Sequence, residues 1–162
     1  MKTIIIGIGD DYYGDDAIGL VLVRKLKKTL SGNKNITFIE CEKRSFEIMD
    51  YLKSDTKILI IDAVKMGLPP GEFRIFKFSK IKPYINKKII SFHQLGVAEN
   101  ILLAESLGKN INNIYIFGIE PALLKPCNSL STVLKNNLSK YIQGITTYLN
   151  NKDNVETDLQ VC

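Results

Sequence analysis

KTIIIGIGDDYYGDDAIGLVLVRKLKKTL, Lys2 to Leu30, is the stretch on which the fold turns. Its opening KTIIIGIG is a short, continuous apolar run rich in β-branched residues, which reads as a strand buried on both faces. The acid-rich loop GIGDDYYGDD interrupts it. From Asp16 onward apolar residues recur at helical spacing, with acids at the start and lysines at the end, as the helix dipole favours.

Outward from this unit the alternation of strand and helix continues. NITFIE, KILIIDAV and NIYIFGIE read as further strands, and SFEIMDYL as a short helix. GEFRIFKF follows the turn signal GLPPG and alternates, as expected of an edge or hairpin strand. HQLGVAENILLAESLG reads as a helix with a glycine stop, and SLSTVLKNNLSKYIQGITTYL as a closing helix with a serine cap. The pattern predicts an α/β fold: one domain over residues 1–150, with a twisted, mostly parallel sheet of about five strands and helices on both faces. NKDNVETDLQVC, 151–162, is polar and aperiodic, and reads as a frayed, flexible tail.

Composition narrows the class. A chain of 162 residues, 45% hydrophobic, suits one domain with a substantial core. No leader pattern and no apolar run near the roughly 20 residues of a membrane helix is visible, so a soluble, cytoplasmic protein away from membranes is expected. The three cysteines, Cys41, Cys127 and Cys162, are far apart and predict neither a disulfide framework nor a zinc knuckle. The net charge of +5 comes from scattered lysines. The clusters RKLKK and KFSKIKPYINKK lack interleaved aromatics, so nucleic acid is not an expected partner.

In open α/β sheets ligands sit beyond the carboxyl ends of the strands. Three features reach that end: the loop GIGDDYYGDD, Asp62 at the end of ILIID, and His93, the one histidine of the chain. A nucleotide site is the first competitor, because Gly7 and Gly9 begin a dinucleotide fingerprint and Glu40 stands where a ribose-binding acid would. Tyr12 occupies the third glycine position, and Asp10, Asp11, Asp15 and Asp16 would repel a pyrophosphate. Acids with one imidazole suit a divalent cation such as nickel or zinc, with positions left open for substrate. Each residue also has a plainer reading: His93 as a capping or packing residue, Asp62 as a loop cap, Asp15 and Asp16 as helix-start acids.

Five collinear segments carry a resemblance. GIGDDYYGDDAIG, ILIIDAV, GEFRIF, SFHQLGVAENILLAESLG and YIFGIEP are similar, in order, to segments of the nickel-iron hydrogenase maturation endopeptidases. The resemblance implies a monomeric α/β protease that trims a C-terminal extension from the hydrogenase large-subunit precursor once nickel is installed. By motif position it implies Asp16, Asp62 and His93 as metal ligands and site residues, with Asp15 able to share the task of Asp16. The nickel would arrive in the substrate, and zinc or cadmium could substitute in vitro. The chain departs from the family pattern at Asp10, where asparagine is usual, at Asp16, where glutamate is common, and at ECEKR, Glu40 to Arg44, which replaces an Asp-Gly-Gly-Thr-like loop. With its one histidine assigned to metal, the chain keeps no base for a serine or cysteine nucleophile. The metal would then either polarise the scissile carbonyl and activate water or serve as the mark of a finished precursor. A nucleotide-dependent α/β enzyme and a non-catalytic metal-binding assembly factor are the alternatives.

Overall fold

The computed structural model describes residues 2–42, 45–52, 55–87, 91–92 and 96–151. Five strands form one sheet in the order β2-β1-β3-β6-β4. They are β1 (Lys2–Gly9), β2 (Ile36–Glu42), β3 (Thr56–Lys65), β4 (Phe73–Lys77) and β6 (Ile114–Ile119). β1, β2, β3 and β6 are parallel, and β4 runs antiparallel against β6. GEFRIFKF is therefore an edge strand, paired with a strand far along the chain rather than in a local hairpin. A two-residue strand, β5 (Ser91–Phe92), pairs antiparallel with Val64 and Lys65 of β3. The sequence pattern does not predict it, because two residues carry no periodicity.

The helices are α1 (Ile18–Thr29), α2 (Phe78–Asn86), α3 (Val97–Ser106), α4 (Thr132–Asn136) and α5 (Leu138–Asn150). SFEIMDYL forms a 3-10 turn over Ser45–Tyr51. The closing helix is capped by Ser131, whose hydroxyl accepts from the Leu134 amide, and it breaks at Asn137 into α4 and α5. Helix α2 has no counterpart in the sequence reading, where KFSKIKPYINKK stands only as a lysine cluster. It forms because Phe78 and Ile81 are buried in the core, and that packing outweighs the internal proline. The expected tail lies, apart from Asn151, outside the described residues. Among the described residues no helix is long and apolar enough to cross a membrane.

Strand alternation divides the core in two. On one face Ile58, Ile60 and Val64 of β3 meet Phe78 and Ile81 of α2 and Val97 and Ile101 of α3. On the other, Leu59, Ile61 and Ala63 meet Ile18 and Leu22 of α1 and Tyr141 and Ile145 of α5. Side chains two apart share a face, so Asp62 projects to the side covered by α3.

Helix α1 lies unusually close to the sheet. A Cβ on Gly19 would stand 2.2 Å from the Ile8 carbonyl oxygen and 2.3 Å from that of Ile61. A Cβ on Gly7 would stand 2.2 Å from the Gly19 oxygen. Glycine at both positions lets the first turn of α1 rest directly on β1 and β3, which fixes the acids just ahead of it over the strand ends.

Candidate active site

From β1 the chain crosses to β2 on one side, and from β2 it returns to β3 on the other. The crevice where the winding reverses opens between the carboxyl ends of β1 and β3, the place where such sheets hold ligands. The loop after Gly9 enters this crevice as a 3-10 turn, Gly14–Ala17, packed on both strands. A Cβ on Gly9 would stand 2.0 Å from the Asp16 carbonyl oxygen. The glycines that begin the dinucleotide fingerprint therefore make room for the chain's own backbone, and the space a pyrophosphate would need beside them is filled.

Four acids are buried here: Asp15, Asp16, Asp62 and Glu120. Their partners sort them by task. Asp15 Oδ2 accepts from the amides of Ala122 and Leu123, each at 2.8 Å, and Oδ1 accepts from the Ser131 amide at 2.7 Å. Its carboxylate is a clamp that holds the segment after β6 against the first loop. Two backbone bonds reinforce the clamp, from the Gly14 amide to the Cys127 carbonyl and from the Asp15 amide to the Leu123 carbonyl, both 2.8 Å. Glu120 does the same for the segment after β3, its Oε2 accepting from Met66 at 2.7 Å and Leu68 at 3.2 Å. Both hold backbone in place, and Asp15, which the sequence allows to share the role of Asp16, spends three of its acceptor sites on amides.

Asp62 differs. It is fully buried, and neither carboxylate oxygen has a hydrogen-bond partner among the described residues. Burial pushes its carboxyl well above the usual value of 3.8, and the charge of Asp16 beside it pushes the same way. The Ala63 amide offsets part of the rise without reaching hydrogen-bond geometry. An unpartnered carboxylate next to a second acid costs several kcal/mol to ionise in such a place, on the order expected for desolvated charge. A cation between the two would remove that cost, and two carboxylates are donors that a divalent metal accepts. Asp62 is not the loop cap that its strand-end position also allowed.

Asp16 and Asp62 are thus the two site residues the structure brings together. His93, the third, lies outside the described residues with Gln94 and Leu95. The chain on either side is placed: Phe92 pairs with Val64, two residues past Asp62, and Gly96, with φ of 98°, opens α3 on the face to which Asp62 projects. Among the described residues no group of three His, Cys, Asp or Glu side chains is arranged to hold a metal.

Residues 20–148 match the sequence profile of the hydrogenase maturation proteases. The chain belongs to this family. A Methanocaldococcus jannaschii protein assigned to the hydrogenase maturation proteases is 34% identical over 135 residues, 78% of this chain and 76% of that one. The hydrogenase expression/formation protein HoxM of Cupriavidus necator is 26% identical, over 82% of this chain and 66% of its own length. For HupD of Bradyrhizobium diazoefficiens the share of its length is 62%, so the chain spans less than two thirds of the length of HoxM and HupD. The hydrogenase maturating endopeptidase HybD of Escherichia coli superposes with a TM-score of 0.76 over 92% of both chains, at 20% identity, which speaks to the fold. A second Escherichia coli endopeptidase gives 0.80 over 96% of both.

In this member of the family, sequence reading missed two kinds of residue. The Asp15 and Glu120 clamps bind backbone amides more than fifty residues away, and no local pattern signals such a partner. Arg24, read as part of a solvated basic cluster, instead grips Asp11 with two bonds of 2.8 Å and Glu40 with one of 2.7 Å. The signal available was the guanidinium itself, whose fork suits a carboxylate better than lysine does.

Proposed function

We propose that this chain is the endopeptidase that removes the C-terminal extension of a nickel-loaded hydrogenase large-subunit precursor, and that Asp16, Asp62 and His93 meet the nickel the precursor carries. The single observation behind the reading is the Asp62 carboxylate, buried, without a hydrogen-bond partner among the described residues and set beside Asp16 at the switch point of the sheet. Such a site is poorly suited to an empty crevice and well suited to an arriving cation.

Nickel, when present, supplies positive charge that can mark a finished precursor or polarise the scissile carbonyl. The chain's own residues do the rest. The raised proton affinity of Asp62 means that the free site holds a proton more tightly than an exposed carboxyl does, a proton that would have to leave for the carboxylate to hold a cation. Asp15 and Glu120 keep the two loops bordering the crevice in place, so that the substrate meets a formed cleft. Zinc or cadmium, with similar donor preferences, are the expected substitutes for nickel in vitro.

Incubating the protein with the nickel-loaded precursor and reading the precursor's mass tests this directly. Loss of a C-terminal peptide is the expected result. Tight binding without any shortening would make the protein an assembly factor instead.

A further inference from the structure

β3 pairs with β6 as far as Ala63, opposite Ile119, and its last residues, Val64 and Lys65, run on beyond that pairing. There they pair with Phe92 and Ser91 of β5. The strand from which the chain passes directly to His93 thus rests on an extension of the strand that carries Asp62. A two-residue pairing is weak by itself, so the extension must be held by something else. Glu120, buried just after β6, holds it. Its Oε2 accepts from the amides of Met66 at 2.7 Å and Leu68 at 3.2 Å, immediately past the extension. Glu120 is itself fixed from the β4 side, its amide donating to the Glu72 carbonyl and its carbonyl accepting from the Gly71 amide, both at 2.8 Å. The extension also folds over the site. A Cβ on Gly118, the residue opposite Asp62, would stand 3.2 Å from Val64 Cγ2 and 3.3 Å from Met66 Sδ. Residues opposite one another on neighbouring strands share a face, so these side chains cover the sheet beside Asp62.

We propose that Glu120 is a positioning residue for His93: by holding the amides of Met66 and Leu68 it fixes the β3 extension, the extension fixes β5, and β5 sets where the imidazole meets the cation. The proposal rests on the reading of His93 as a metal ligand, and it adds the group that keeps this ligand in register with Asp62. Metal sites depend on such supporting groups, because a ligand displaced by more than about 0.5 Å no longer meets the ion well. What Glu120 supplies is an oxygen at a fixed reach. Both amides donate to the same oxygen, so the amide oxygen of a glutamine can take both. Aspartate keeps the charge but is one methylene shorter, which draws the acceptor away from its donors.

The chain has one histidine, so its imidazole gives a single set of nuclear magnetic resonance signals that reads this position directly. The experiment records those signals for the full chain, metal-free and through a titration with zinc alone, in wild type and in Glu120→Gln, Glu120→Asp and Glu120→Ala. Glu120→Gln is expected to keep the wild-type signals and zinc affinity. Glu120→Asp and Glu120→Ala are expected to shift the imidazole signals and weaken zinc binding, by about tenfold in the alanine variant. Where Glu120→Ala does not fold, Glu120→Asp carries the test. Leu26→Ala, which opens a cavity in the core on the other face of the sheet, lowers stability generally and should leave signals and affinity unchanged. Wild-type signals and affinity in Glu120→Asp and Glu120→Ala would overturn the positioning role, and so would equal changes in Leu26→Ala. Unchanged zinc affinity in His93→Ala would instead overturn the reading of His93 as a ligand, and the proposal with it.

Discussion

Two adjacent parts of the crevice should respond to the same chemical change with opposite signs. Asp15→Asn keeps the shape of the side chain but turns an amide donor toward amides that now donate to a carboxylate. At least one of the three bonds at 2.7 to 2.8 Å is lost and replaced by a donor facing a donor. Bonds to an ionised acceptor contribute roughly 1.5 to 3 kcal/mol each, so the expected loss is about 2 to 4 kcal/mol. Asp15→Ala, which gives up all three, should lose about 4 to 6 kcal/mol after allowing for non-additivity. For a domain of this size a kcal/mol moves the melting temperature by about 2 to 4 °C, which places the Asn variant about 5 to 15 °C below wild type. Asp62→Asn should do the reverse. The folded protein holds the Asp62 proton more tightly than the unfolded chain does. Its stability is therefore full below the unfolded value of 3.8 and is lost as pH rises through the folded value. A neutral amide has no such loss, so metal-free Asp62→Asn should be as stable as wild type in acid and more stable at neutral pH. Thermal unfolding of the metal-free variants by circular dichroism, repeated across pH, reads both. Tolerance of Asp15→Asn within about 1 kcal/mol would refute the clamp, and a neutral-pH loss in Asp62→Asn would refute the unpartnered carboxylate.

Gly19→Ala would drive a methyl to within 2.3 Å of two strand carbonyls, so α1 must lift; a loss of about 3 kcal/mol or more is expected in urea unfolding, and wild-type stability would contradict the close packing. Nickel or zinc binding to the free protein, followed by calorimetry in buffers of different ionisation enthalpy, should release protons and weaken as pH falls, because carboxylates must ionise and imidazole must be neutral to coordinate. Binding that is independent of pH would exclude Asp62 and His93 as ligands. Asp16→Glu should retain precursor cleavage and Asp16→Ala should lose it, since Asp15 is held by three backbone amides; activity in the alanine variant would show that another group does the work.

The sheet is legible in the sequence wherever burial leaves a one-dimensional trace. β1, β3 and β6 are continuous apolar runs because both faces are covered, and β4 alternates because it lies at an edge. Helix α2 is not legible, since Pro83 argues against a helix locally while Phe78 and Ile81 argue for it only once the core exists. At the site, Asp16 and Asp62 stand out as acids at the ends of a loop and a strand, and the crossing of the strands places them together. What separates Asp62 from Asp15 is the supply of backbone amides from residues 122, 123 and 131, which three-dimensional folding alone decides. Gly7 and Gly9 mislead in the opposite sense: they resemble the start of a dinucleotide fingerprint, and their real use, like that of Gly19, is the close approach of the chain to itself.

The account's central claim is that buried carboxylates at the switch point, with His93, read nickel in the precursor. Intact mass spectrometry of the large-subunit precursor, prepared with and without nickel and incubated with wild-type, Asp62→Asn and His93→Ala protein of verified thermal stability, tests it most directly. The predicted result is removal of the C-terminal peptide only where wild-type protein meets nickel-loaded precursor. Cleavage by folded Asp62→Asn or His93→Ala protein, or equal cleavage of the nickel-free precursor, would contradict it.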